Sequence, residues 1–251
     1  MVKVLKIDRK WRIDLLPDSV DRKVKVDGET TTVTKRGSKV AARTVFQRLT
    51  SQPKTGPKKD LLLFVHGFNN DVEAVVERAW NLQRLYNLEV ETFSWPANGG
   101  GAQGVASYKS DKRDARASVG ALDRVLEKMR EYLQEIRTAR LNALRTRVEE
   151  RGGERGEAQD KMFARLAQRD CPFRINLMLQ SMGNYLFKNL LSSSIFSGRE
   201  LTFDNVVMAA ADTNSENHRE WVDRIQARHR VYITINERES SPFLVKPLHG
   251  P

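Results

Sequence analysis

The chain has 251 residues, 43 Lys and Arg against 32 Asp and Glu, and a formal net charge of +11, which is room for one α/β domain with an insertion over residues 1–251. Its single cysteine excludes a disulfide framework. Met1 to Arg12 has no apolar h-region, and no stretch approaches the roughly 18 apolar residues of a membrane span, so a soluble, cytoplasmic protein is expected.

Residues 1–60 hold 16 Lys and Arg against 7 Asp and Glu, most of the net charge. Val2, Val4, Leu5, Ile7, Trp11, Ile13 and Leu15 partly alternate, and Asp27-Gly28 marks a turn between two β-rich runs, predicting two or three antiparallel strands. An amphipathic sheet edge with solvated lysines is the plain reading. The functional alternative is a surface for an acidic partner, an anionic lipid headgroup or nucleic acid, although no specific nucleic-acid motif accompanies it.

Asp60 to Asn70, DLLLFVHGFNN, reads as a buried strand ending in His66 and Gly67, followed by helical spacing at Val72, Val75, Val76, Ala79 and Trp80. A glycine there lets the backbone approach a substrate, and the N–H of the next residue, Phe68, is placed to donate to a developing oxyanion. His66 lies too early in the chain order of acyl-transfer enzymes with such an oxyanion loop to be the general base, and is read as a loop anchor. Glu91 to Pro96, ETFSWP, is a second short strand.

Residues 107–170 form a charged segment in which Val119, Leu122, Leu126, Met129, Leu133 and Ile136 recur at helical spacing. A Gly- and charge-rich turn and a shorter helix with Met162, Phe163 and Leu166 complete an inserted helical hairpin, expected between the fourth and fifth core strands. It is read as a packing extension or as a surface for a protein partner or self-association.

Ile175 to Leu191, INLMLQSMGNYLFKNLL, runs from a short apolar strand through Ser181 into an amphipathic helix. Strand, serine, helix is the arrangement that exposes a nucleophile above a sheet edge, with the Met182 N–H opposite that of Phe68 in an oxyanion hole and Gly183 letting the helix pack closely. An ordinary strand-to-helix connection with Ser181 as N-cap is the alternative.

FVHGFNN, FSWP and SMGN, in that order, resemble the bacterial α/β-hydrolase family of unknown function whose members show FVHGFN, FSWPS and AHSMGN blocks. The resemblance spans about Asp60 to Asn236. It implies an α/β-hydrolase fold, Ser181 as nucleophile and the His66-Gly67-Phe68 turn as oxyanion loop. Gln180 stands where the family has histidine, and Leu179 where it has a small residue.

In the chain order serine, acid, histidine, the acid follows the strand after next. That points to Glu237, which by resemblance matches an aspartate of the family; Asp212, ending the strand TFDNVVMAAAD, competes. Only His249 follows both acids. The family's histidine comes from a segment after LHG, so three possibilities stay open: His249 serves, the chain is shortened before that segment, or the site is inactive. The expected fold is α/β, a mostly parallel sheet of six to eight strands with flanking helices. The expected function is a serine hydrolase of an ester or thioester, with no cofactor and no metal-ligand spacing. The alternative is a weakened hydrolase fold acting as a binding or assembly module.

Overall fold

The structure is a computed structural model that describes residues 2–7, 10–26, 28–51, 60–97, 107–150, 160–164, 173–193, 203–211 and 218–234. The basic N-terminal quarter contains four strands: β1 (Val2–Ile7) pairs antiparallel with β2 (Lys10–Leu15), and β3 (Ser19–Val26) with β4 (Glu29–Arg36). These hairpins are separate two-stranded sheets. The expected sheet edge is therefore corrected: the hairpins attach through side chains and a following helix, without joining the main ladder. That helix, α1 (Gly37–Thr50), buries Val45, Phe46 and Leu49 on one stripe and is an element the strand pattern of this region does not predict.

The main sheet is parallel and ordered β6-β5-β7-β8-β9, from β5 (Leu61–Val65), β6 (Glu89–Phe93), β7 (Ile175–Gln180), β8 (Phe203–Ala209) and β9 (Ala227–Thr234). It has five strands among the described residues, fewer than expected because the N-terminal strands stand apart. Every residue of β5 is buried, as a central parallel strand covered on both faces requires. The chain leaves β5 for β6 on one side and returns to β7 on the other, which opens a crevice at the C-terminal ends of β5 and β7.

Helix α2 (Val72–Tyr86) joins β5 to β6; Asp71 caps it by accepting from the Ala74 N–H at 2.7 Å, and Asn87 ends it in the left-handed conformation. The first hairpin sits on this helix: the Trp11 indole donates to Glu77 at 3.0 Å, and Trp11 meets Trp80 edge-on at 5.9 Å.

Helices α3 (Tyr108–Ala117) and α4 (Val119–Glu150) begin the insertion, which lies between β6 and β7, the second and third strands of the main sheet in chain order. At 32 residues α4 is about 48 Å long. Its apolar stripe is used inside the fold: Val119, Leu122 and Leu126 pack into the main core, and Ile136 into a second cluster with Phe46, Leu61 and Phe173. Met129 and Leu133 touch both clusters. Residues 160–164 are helical, and the Arg145 guanidinium lies 5.1 Å from the Phe163 ring, so this segment returns alongside α4. Helix α5 (Met182–Ser192) follows β7, and the short α6 (His218–Val222) precedes β9. No helix among the described residues is long and apolar enough to cross a membrane.

Edge strand β6 carries Glu89 and Glu91 on one face. Arg48 holds Glu89 at 2.9 Å, while burial, and then the Glu89 charge, push the Glu91 carboxyl up to about 7 from 4.5. A carboxyl raised in the folded state favours folding below pH 4.5 and loses that contribution as pH rises through about 7. Glu91→Gln is thus expected to raise the thermal midpoint at pH 8 and change it far less at pH 4. An equal shift at both pH values would show that Glu91 titrates normally.

Candidate active site

One residue, Ser181, connects β7 to α5. It occupies the N-cap position, yet its side chain makes no capping bond, and its backbone lies at φ 47° and ψ −118°. A capping serine takes an extended backbone and accepts from the second or third helical N–H. The observed conformation instead costs on the order of 1–3 kcal/mol and persists only where its surroundings enforce it.

Those surroundings are specific. The Ser181 N–H donates to the Ala209 carbonyl at 2.8 Å, tying the turn to the end of β8. Asn184, fully buried on α5, directs its Nδ2 at the carbonyls of Ser181, Leu179 and Ala209, at 3.1, 3.2 and 3.3 Å. Asn184 is given no role by the sequence reading; its signal is its place as the last residue of the SMGN block. A Cβ on Gly183 would stand 2.7 Å from the Val65 carbonyl oxygen and 3.0 Å from that of His66, so only glycine lets α5 approach β5 this closely.

The loop after β5 touches the serine directly. A Cβ on Gly67 would meet Ser181 Cβ at 2.8 Å and Oγ at 3.4 Å. Asn70 fixes the loop by donating to the carbonyls of Phe68 at 2.7 Å and Gly67 at 3.1 Å. The next donors after the two contacting residues are the N–H groups of Phe68 and Met182, and Met182 is the first residue of α5, where an N–H has no partner within the helix's own ladder.

His66 is 1% exposed. Its Nδ1 lies 2.7 Å from the Gly67 carbonyl, and its Nε2 accepts from the Trp95 N–H at 3.2 Å. A carbonyl can only accept and a backbone N–H can only donate, so the proton is assigned to Nδ1 and the ring is neutral. Burial, aided by the Arg78 charge, holds its pKa below the ordinary value, against the bonds to Gly67 and Trp95. Trp95 stacks on the ring at 5.1 Å and donates its indole N–H to the His66 carbonyl at 3.0 Å. Both nitrogens are thus engaged in holding the loop. Arg78 on α2 donates to Gln180 Oε1, linking the residue before the serine to the neighbouring helix.

Aromatic side chains flank the crevice. Phe68 meets Tyr108 edge-on at 5.3 Å, and the Lys112 ammonium lies 4.9 Å from the Tyr108 ring and 5.1 Å from that of Tyr185, one turn along α5 from the serine.

Asp212, Glu237 and His249 lie outside the described residues. The strands leading to the two acids end on the serine's edge of the sheet: β8 at Ala209, whose carbonyl accepts from the Ser181 N–H, and β9, one strand further out, at Thr234, whose carbonyl accepts from the Ala210 N–H at 3.2 Å. His229 is at the other end of the sheet, with Nε2 3.7 Å from Asp204. Among the described residues no group of three or more His, Cys, Asp or Glu is gathered as for a metal ion.

A protein-family profile described as alpha/beta hydrolase of unknown function (DUF900) matches residues 39–140. The match includes FVHGFNN and FSWP and ends before Ser181. No curated protein and no solved structure matches the chain significantly. The parallel sheet with flanking helices is an α/β-hydrolase fold.

Proposed function

Taking the chain as an α/β-hydrolase, we propose that it cleaves an ester or thioester through an acyl-enzyme formed on Ser181. The observation that carries this reading is a serine held in a strained positive-φ backbone conformation, making no cap, with Gly67 packed against it. An ordinary connection has no need of such a turn, whereas a nucleophile that must stand clear of the sheet does.

In this scheme Ser181 Oγ attacks the substrate carbonyl while a histidine, His249 on chain order, takes its proton. The N–H groups of Phe68 and Met182 receive the developing oxyanion. The tetrahedral intermediate collapses, expelling an alcohol or thiol that takes up the proton, and water then releases the acid by the same route. Glu237 or Asp212 orients the imidazole and stabilises its charged form. His66 shapes the oxyanion loop through its two fixed hydrogen bonds, and no cofactor enters the scheme.

Incubation with a fluorophosphonate, followed by peptide mass spectrometry, tests the reading: the adduct is expected on Ser181. A folded protein that forms no adduct would sink it and favour a hydrolase fold used for binding alone.

The acid is separable by mutation. Glu237→Gln is expected to lower turnover by roughly 10⁴-fold with little loss of folding, as removal of a triad carboxylate does, and Asp212→Asn to cost far less. Steady-state kinetics on the two variants decide it, since the reverse ranking moves the acid to Asp212.

A further inference from the structure

A second concave site lies between β4, α1 and α4, with a volume of about 470 Å³. Lys35, Arg36, Lys39 and Arg43 line it against Glu131 and Glu135, which leaves two positive charges in excess. The carboxylates are already engaged: Lys39 pairs with Glu135 at 2.6 Å, and Lys128 with Glu131 at 2.7 Å. Lys35, Arg36 and Arg43 have no ion-pair partner among the described residues. Glu131 is held below its ordinary pKa by the Lys128 hydrogen bond first, with the Arg36 and Arg130 charges adding to it. One wall is also polar and rigid, because the Tyr132 hydroxyl, on a side chain only 8% exposed, shares a 2.9 Å hydrogen bond with Ser38.

We propose that this open groove binds a small soluble phosphate monoester as its dianion, at a site separate from Ser181. The charge excess matches a phosphate monoester, which carries close to two negative charges at neutral pH. Unpaired arginines suit its oxygens through forked hydrogen bonds. The volume exceeds what a bare phosphate fills and lies in the range of about 300–1,000 Å³ of small-molecule sites, leaving room for an organic body. The site is at the opposite end of the sheet from the nucleophile: Tyr132 packs with Leu61, the first residue of β5, whereas Ser181 follows the last residue of β7. A strand of five residues puts roughly 17 Å between those ends.

Isothermal titration with glucose 6-phosphate at low ionic strength tests the assignment, with glucose and sulfate as controls. Binding is expected for the sugar phosphate, and neither control should match it. Arg36→Gln/Arg43→Gln should weaken binding by about tenfold or more, a loss of roughly 1.4 kcal/mol, with the unliganded thermal midpoint retained. Glu135→Gln should tighten it severalfold by removing a carboxylate and releasing Lys39; this variant, with Lys35→Gln, decides the matter if the double variant does not fold. Fluorophosphonate labelling of Ser181, read in parallel, should be unchanged in both. The proposal is overturned if millimolar glucose 6-phosphate gives no binding, if sulfate binds equally well, or if the arginine variant binds like the wild type. It is equally overturned if only vesicles containing phosphatidic acid bind, or if a folded variant also loses labelling.

Discussion

Ser181→Ala is expected to abolish fluorophosphonate labelling and to lower ester turnover by roughly 10⁴-fold or more, the scale of losing a nucleophile whose role no neighbour can assume. Stability should hardly change. The hydroxyl makes no capping bond, and the groups that enforce the turn are the Ser181 backbone, Asn184 and Ala209, all of which survive in the variant. Alanine also tolerates the positive-φ backbone no worse than serine does, so the thermal midpoint should stay within about 3 °C, equivalent to roughly 1 kcal/mol for a chain of this size. Labelling that persists in the variant would move the nucleophile elsewhere. A large fall in midpoint would instead show that the hydroxyl is structural.

Two single-methyl insertions on either side of the same serine should separate chemistry from packing. In Gly67→Ala the new Cβ meets Ser181 itself, at 2.8 Å from its Cβ. Relief requires the loop to retreat, and that displaces both the nucleophile and the Phe68 N–H. Turnover is expected to fall by about 10²–10³-fold, the cost of one misplaced oxyanion donor. In Gly183→Ala the methyl meets two backbone oxygens, of Val65 and His66, at 2.7 and 3.0 Å. Neither can rotate away, so α5 must lift from β5, at about 1–3 kcal/mol, as overpacking costs. The signature is in the ratio: Gly67→Ala loses activity out of proportion to stability, and Gly183→Ala loses stability first. Paired melting curves and labelling rates measure both. Equal stability losses with intact labelling in each would show that the loop does not bear on the nucleophile.

The strained serine turn also explains why so much polar machinery converges on one residue. Asn184 is buried with its Nδ2 spread over three carbonyls, while its Oδ1 has no hydrogen-bond partner among the described residues. Such an arrangement is costly to bury and is understandable where a turn must be held against its own backbone preference. His66 acts in the same way on the facing loop, its ring fixed between the Gly67 carbonyl and the Trp95 N–H.

The sequence by itself determined the elements whose signal is local. LLLFV and INLML announce buried parallel strands because every residue, or nearly every one, is apolar. The strand, serine, helix order around Ser181, and the glycines at 67 and 183, were legible because close backbone approach leaves few residue choices. The long helical period from Val119 to Ile136 was legible from the spacing of its apolar residues. Only the tertiary structure decided which face that stripe meets, and it assigned the stripe to two internal clusters, because periodicity records that a face is buried and not what covers it. The separation of the N-terminal hairpins from the main sheet was likewise invisible: alternation predicts a strand but carries no record of its neighbours. Helix α1 hid its stripe among Lys39, Arg43, Gln47 and Arg48, and its burial depends on Phe173 and Tyr132, far away in the chain. The roles of Asn184, Asn70 and Trp95 arise from contacts between distant segments, or from turns whose shape those contacts fix. The positive φ of Ser181 came from the same source, since a single strained torsion is imposed by surrounding hydrogen bonds and leaves no trace in residue type.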